Sequence, residues 1–153
     1  GHVERVYCMA QLADGRIVTG SRGTTLRVWD SESGDCTLKL TGHRDRVYCV
    51  AQLADGRIVS GSWDGSLRVW DSKSGDCTLK LTGHSKGVLC VIQLADGWIM
   101  SGSYDGSLCV WDSESGDCTL MLIGHTYAVV YLKQLPDGRV VSGSWDGTPR
   151  VWR

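Results

Sequence analysis

Histidine, serine and aspartate stand close together in this chain at His43, Ser60 and Asp64, with Trp70 just beyond. These are the residue types of a nucleophilic relay, in which an imidazole takes the serine proton and a carboxylate orients the imidazole. They are equally the types of a buried clamp. An indole N–H only donates, a serine hydroxyl donates and accepts, an imidazole does both, and a carboxylate accepts. The two readings need different surroundings: a nucleophile needs an open pocket and donors for an oxyanion, whereas a clamp only has to be enclosed.

The spacing decides between them. The same set returns as His84, Ser101, Asp105 and Trp111, and again as His125, Ser142, Asp146 and Trp152, each time 41 residues later. At the start of the chain His2, Thr19 and Trp29 fill three of the positions, and Gly23 stands where the carboxylate would be. A constellation copied into every unit with an indole attached reads as scaffolding, so no catalytic residue is assigned. A fixed period of this length marks a repeat architecture. Gly-His pairs at 1, 42, 83 and 124 divide a single domain, 1–153, into units 1–41, 42–82, 83–123 and 124–153. The first two units agree at 32 of 41 positions, which points to recent duplication or to design.

The elements that position these residues follow from turn chemistry. In the second unit "RVYCVAQL" (46–53) ends at Ala-Asp-Gly, "RIVSGSW" (57–63) ends at Asp-Gly, "SLRVWD" (66–71) ends at "SKSGD", and "CTLKLTGH" (77–84) leads into the next unit. Asp-Gly between apolar runs signals a tight hairpin, because those residues tolerate the backbone such turns require. No window carries a sustained 3.6-residue apolar period. The chain is therefore read as all-β, with strands a, b, c and d in each unit.

Composition narrows the function classes. With 153 residues, 42% of them hydrophobic, the chain can bury one ordinary core. Its 16 basic and 17 acidic side chains give a formal charge of −1, which offers no global attraction for nucleic acid or an acidic membrane. The longest apolar runs are short, such as "YAVVYL" at 127–132, far below the roughly 18 residues of a membrane span. The seven cysteines follow the repeat and not a metal-ligand spacing: Cys8, Cys49 and Cys90 in strand a, Cys36, Cys77 and Cys118 in strand d, and Cys109 in strand c. They are expected to be reduced packing residues of a cytoplasmic protein, with no metal or cofactor. The chain opens on Gly1 without a leader pattern, as expected of a processed or engineered piece.

The Gly-His pair, the Asp-Gly turn, Ser-Gly-Ser in strand b, the b-to-c turn aspartate and the Trp-Asp ending together resemble the WD40 repeat, and the resemblance covers the whole chain. It implies a β-propeller of radially arranged four-stranded blades, here four, the last without strand d. It also implies that each His-Ser-Asp-Trp set is a hydrogen-bond network within one blade. Four units are about half the number usual in this family. The expectation is therefore a head-to-tail homodimer forming an eight-bladed ring. The rival reading is an engineered or excised fragment with only a structural or self-assembly role.

Where the repeats disagree, a ligand can be read. The residue before the b-to-c aspartate position is Arg22, Trp63, Tyr104 and Trp145 in turn, and the family places it on the peptide-binding face. The positions after Gly-His also vary: Val3 and Arg5, Arg44 and Arg46, Ser85 and Gly87, Thr126 and Ala128. Aromatic and arginine side chains are typical binding hot spots. Arg5, Arg22, Arg44, Arg46, Trp63, Tyr104 and Trp145 are thus the candidate ligand-binding residues, and an acidic or phosphorylated peptide is the expected ligand. Trp98, where other units carry Arg16, Arg57 and Arg139, is assigned to the opposite face with no role.

Overall fold

The computed structural model describes residue 2 and residues 4–153. Gly1 and Val3, one in the first Gly-His pair and the other at the first variable position, lie outside the described residues. Strands β1 (Val6–Gln11), β2 (Ile17–Ser21), β3 (Leu26–Trp29) and β4 (Cys36–Leu40) form the first blade. Strands β5 (Val47–Gln52), β6 (Ile58–Ser62), β7 (Ser66–Trp70) and β8 (Cys77–Thr82) form the second. The third consists of β9 (Val88–Gln93), β10 (Ile99–Ser103), β11 (Ser107–Trp111) and β12 (Cys118–Ile123). The fourth has three strands, β13 (Val129–Gln134), β14 (Val140–Ser144) and β15 (Pro149–Trp152). Within each sheet, strands follow sequence order and pair antiparallel.

The b-to-c turns of blades 2, 3 and 4 use Gly65, Gly106 and Gly147, all at positive φ, which glycine adopts without a Cβ penalty. Strand a carries a bulge: Val47 pairs with Ser62 and Cys49 with Gly61, so Tyr48 is the extra residue, and Tyr7, Leu89 and Val130 repeat it. A bulge re-aims the side chain it carries. All four bulged residues are half-buried.

Each apolar cluster straddles two blades. Leu12, Val18, Leu26, Val28 and Leu40 of blade 1 meet Val47, Ile58 and Trp70 of blade 2, and the pattern repeats between blades 2 and 3 and between blades 3 and 4. The a strands β1, β5, β9 and β13 pack in succession, whereas among the described residues no comparable packing joins β13 back to β1. The blades form an open arc.

The seven cysteines are free. Cys77 and Cys118 are exposed, while Cys49, Cys90 and Cys109 are buried. Burial holds the Cys49 thiol well above its ordinary pKa and pushes that of Cys90 up to about 12. A thiol reagent at neutral pH should label Cys77 and Cys118 first and the three buried cysteines only on unfolding, since the thiolate is the reactive form. Equal labelling rates, or a mass showing internal disulfides, would contradict this arrangement.

Candidate functional site: blade networks and an aromatic mouth

In blade 2 the network runs across all three inner elements. The Trp70 indole N–H donates to Ser60 Oγ at 2.8 Å, Ser60 Oγ lies 2.7 Å from His43 Nε2, and His43 Nδ1 lies 3.1 Å from Asp64 Oδ2. Donation in the order Trp, Ser, His, Asp satisfies every group with a neutral imidazole. Asp64 also accepts from the Arg44 amide at 2.9 Å and from both the amide and hydroxyl of Ser66. Burial pushes the Asp64 carboxyl up, but the hydrogen bonds from His43, Ser66 and the Arg44 amide outweigh it and hold the pKa well below the usual range. Blade 4 repeats the geometry, with His125 2.7 Å from Ser142 and 2.9 Å from Asp146, and Trp152 donating to Ser142 at 2.8 Å. In blade 1, His2 and Trp29 both reach Thr19, at 2.6 and 2.9 Å, and among the described residues the chain of bonds goes no further.

Blade 3 departs from the expected pattern. His84 Nε2 meets Ser101 Oγ at 2.7 Å and Trp111 donates to Ser101 at 2.8 Å, but His84 Nδ1 faces Ser107 Oγ at 3.1 Å instead of Asp105. Asp105 joins only through Ser107, at 2.5 Å, and its other oxygen accepts from Ser85 Oγ at 2.8 Å. Ser85 stands where blade 2 has Arg44, and its hydroxyl engages the oxygen equivalent to the one that His43 uses. Cys109, which replaces Arg68, lies 3.7 Å from His84 Nδ1.

His84 is enclosed, and burial lowers its pKa from 6.5 to about 4, with Asp105 opposing the shift. The folded state holds this imidazole neutral, while the unfolded chain protonates it near pH 6.5. Its contribution is therefore complete above about pH 6.5 and is lost as the pH falls towards 4, amounting to about 3 kcal/mol in full. Urea titrations at pH 7 and pH 4.5 should show this loss, and His84→Gln should flatten it. Equal stability of the parent at the two pH values would contradict the assignment.

The variable loop positions converge in part. Arg46, Trp63, Tyr104 and Trp145 line one cavity of about 290 Å³, together with Tyr48, Leu89 and Val130. Arg5, Arg22 and Arg44 do not line it. The Arg22 amide donates to the Arg5 carbonyl at 2.8 Å, the same backbone hydrogen bond that Trp63 makes to Arg46, and the Arg44 amide donates to Asp64. The expected basic half of the face is thus spread over the loops of blades 1 and 2, with Arg46 alone at the cavity.

Aromatic rings run across the arc in near-contact. Centroids are 4.8 Å apart for Tyr7 and Tyr48, 5.8 Å for Tyr48 and Trp63, 5.0 Å for Trp63 and Tyr104, and 6.1 Å for Tyr104 and Trp145. Gly87 sets the position of Trp63, because any Cβ there would strike the indole ring. Tyr127 and Lys86 join the same surface, Lys86 Nζ lying 5.7 Å from the Tyr104 centroid. Both occupy the loop position that the sequence reading passed over, where blades 1 and 2 carry Glu4 and Asp45. Tyr48, Leu89 and Val130 are the bulged residues of strand a, and their disagreement between units was the available signal.

Trp98 lines a separate cavity of about 380 Å³ with Asp55, Asp96, Asp112 and Glu114. Two of its counterparts tie neighbouring blades together. Arg16 donates to the Ser72 carbonyl at 2.7 Å and Arg57 to the Ser113 carbonyl at 2.9 Å, each in the following blade.

The family model for the WD domain, G-beta repeat, matches residues 1–30, 34–71, 75–112 and 116–153. A comparison with curated proteins finds no match. Among solved structures 1321 chains match, and a fold shared so widely carries no single function. One of them, the crystal structure of the computationally designed Ika4 protein, is 32% identical with a TM-score of 0.88, over 99% of this chain and 92% of that one. With four consecutive repeat matches over a four-bladed all-β arc, this chain belongs to the WD domain, G-beta repeat family.

Proposed function

We propose that this chain is a non-catalytic interaction scaffold that closes head to tail with a second copy into an eight-bladed ring. The observation carrying this reading is a repeated knob and hollow between blades. The first valine of strand a sits over a strand-b glycine of the preceding blade: Val47 over Gly20, Val88 over Gly61, Val129 over Gly102. Those three valines are fully buried, whereas Val6 is 43% exposed. At the other end Gly143 meets only Tyr131, so the hollow that would receive such a valine is open.

The other inter-blade contacts end the same way. Arg139 keeps the ion pair of its turn, with Asp137 at 2.7 Å, and reaches no carbonyl of another blade among the described residues. The Ser31 carbonyl, counterpart of those of Ser72 and Ser113, accepts from no arginine of another blade among the described residues. Met9 and Val151 are exposed at the two ends. Val6 of a second copy over Gly143, and Arg139 onto its Ser31 carbonyl, would reproduce the internal contacts. A two-fold pair forms two such interfaces for one loss of translational and rotational freedom. Light scattering at micromolar concentration should report about twice the chain mass of 16.7 kDa. A stable folded monomer there would overturn the ring.

The absence of catalysis rests on enclosure. Ser60, Ser101 and Ser142 have no exposed surface, and each accepts an indole N–H on the oxygen a nucleophile would use. The face carrying Arg5, Arg22, Arg44, Arg46, Trp63, Tyr104 and Trp145 is the proposed site for an acidic or phosphorylated peptide, in a cytoplasmic, reducing setting. Replacing Arg46, Trp63 and Tyr104 together should abolish capture of such a peptide with the fold intact. Capture that survives this change and is lost on altering Trp98 would move the site to the opposite face. A second reading, a piece whose whole behaviour is self-assembly, is favoured by the likeness to a designed protein of nearly the same length. Under it the ring forms and the peptide does not bind.

A further inference from the structure

We infer that the cavity between Trp63, Tyr104 and Trp145 seats an aromatic side chain whose own or adjoining carboxylate is held by Arg46. This rests on the binding-face reading and names the chemistry of its anchor. At about 290 Å³ the cavity lies just under the roughly 300 Å³ at which small-molecule pockets begin, which suits one anchoring side chain and not a larger ligand. Its walls are aromatic and aliphatic, and Trp145, 59% exposed, leaves a large apolar surface at the rim. Edge-to-face packing, already used among Trp63, Tyr104 and Trp145, extends naturally to a further ring.

An aromatic enclosure by itself would also suit a cation. The charges decide otherwise. Arg46 is the one charged residue in the lining, and the carboxylate nearest to it in sequence, Asp45, is engaged by the Arg46 amide at 2.7 Å. On the other side of Tyr104 a second cavity of about 330 Å³ holds Lys86, whose ammonium already lies over the Tyr104 ring, with Asp105 committed to Ser107 and Ser85. A cationic ligand would meet the like charge of Arg46 and no carboxylate in the anchor cavity, with the Lys86 ammonium on the far side of Tyr104. An anionic one would gain a charge-assisted hydrogen bond from Arg46.

Three probes separate these cases: N-acetyl-phenylalanine, its neutral amide, and phenethylammonium. They are titrated at pH 7 against the whole chain, with tryptophan fluorescence and saturation-transfer NMR as readouts. The carboxylate should bind at least about fivefold tighter than the amide, and the ammonium weakest. Arg46→Gln should bring carboxylate and amide within about twofold of each other, leaving the amide unchanged. Trp145→Ala, at an exposed position, should weaken all three with circular dichroism unaltered. Tightest binding by the ammonium, or a carboxylate preference that survives Arg46→Gln, overturns the inference. Saturable binding without charge preference also overturns it but leaves the binding-face reading standing. Failure of all three probes to saturate defeats both.

Discussion

Ser60→Ala should lower the unfolding free energy by roughly 2–6 kcal/mol, a large loss for a change of one oxygen. Ser60 is the hub of its blade: its hydroxyl serves Trp70 at 2.8 Å and His43 at 2.7 Å, and both partners are buried. Removing it leaves two buried groups unpaired, each at a cost of roughly 1–3 kcal/mol. Asp64→Ala should cost less, roughly 1–3 kcal/mol, because it deprives His43 of one acceptor at a side chain that water partly reaches. Urea melts followed by tryptophan fluorescence would order the two. If Ser60→Ala kept full stability while a hydrolytic activity of the parent vanished, the serine would be a nucleophile and not a clamp.

A second pair of substitutions makes one change at two equivalent positions. Gly61→Val places a Cβ 2.6 Å from Val88 Cγ1 and 2.5 Å from Cys49 Sγ, inside a sealed contact between blades. Overpacking of this kind costs roughly 1–3 kcal/mol or more, and both neighbours here are buried. The identical change at Gly143 meets only Tyr131 Cβ, at 3.4 Å. That variant should fold, keep the strand signature in circular dichroism, and behave as a monomer, since the added side chain fills the hollow meant for a second copy's valine. Equal destabilisation by the two substitutions would mean that Gly143 already lies in a closed contact.

How much of this was legible in the sequence depends on the distance over which each feature is decided. Strands b and c of the second unit were expected at 57–63 and 66–71 and form at Ile58–Ser62 and Ser66–Trp70. Asp-Gly turns and apolar runs are local signals, and a repeat supplies each of them several times. The blade networks were legible because their members recur in register. The detour through Ser107 in blade 3 was not, since it follows from Ser85 engaging an oxygen of Asp105, a competition between side chains brought together only by the fold. The bulge in strand a was equally hidden. Nothing in "RVYCVAQL" marks Tyr48 as the extra residue, and without that knowledge its ring belongs to the strand and not to the mouth. The bonds that Arg16 and Arg57 make between blades were equally hidden, because their acceptors lie 56 residues away in another blade.

The most direct test of head-to-tail closure uses two variants that each spoil one half of the contact, Val6→Glu on the first blade and Gly143→Val on the last. Alone, each carries its lesion at both interfaces of a two-fold ring and should run at the chain mass of 16.7 kDa in sedimentation equilibrium. Mixed, they can pair through one undamaged interface, with both lesions collected in the other, because head-to-tail surfaces differ from each other. The ring account predicts a mixed species of about twice the chain mass that neither variant forms by itself. A mixture that stays monomeric, or a single variant that remains dimeric, would contradict it.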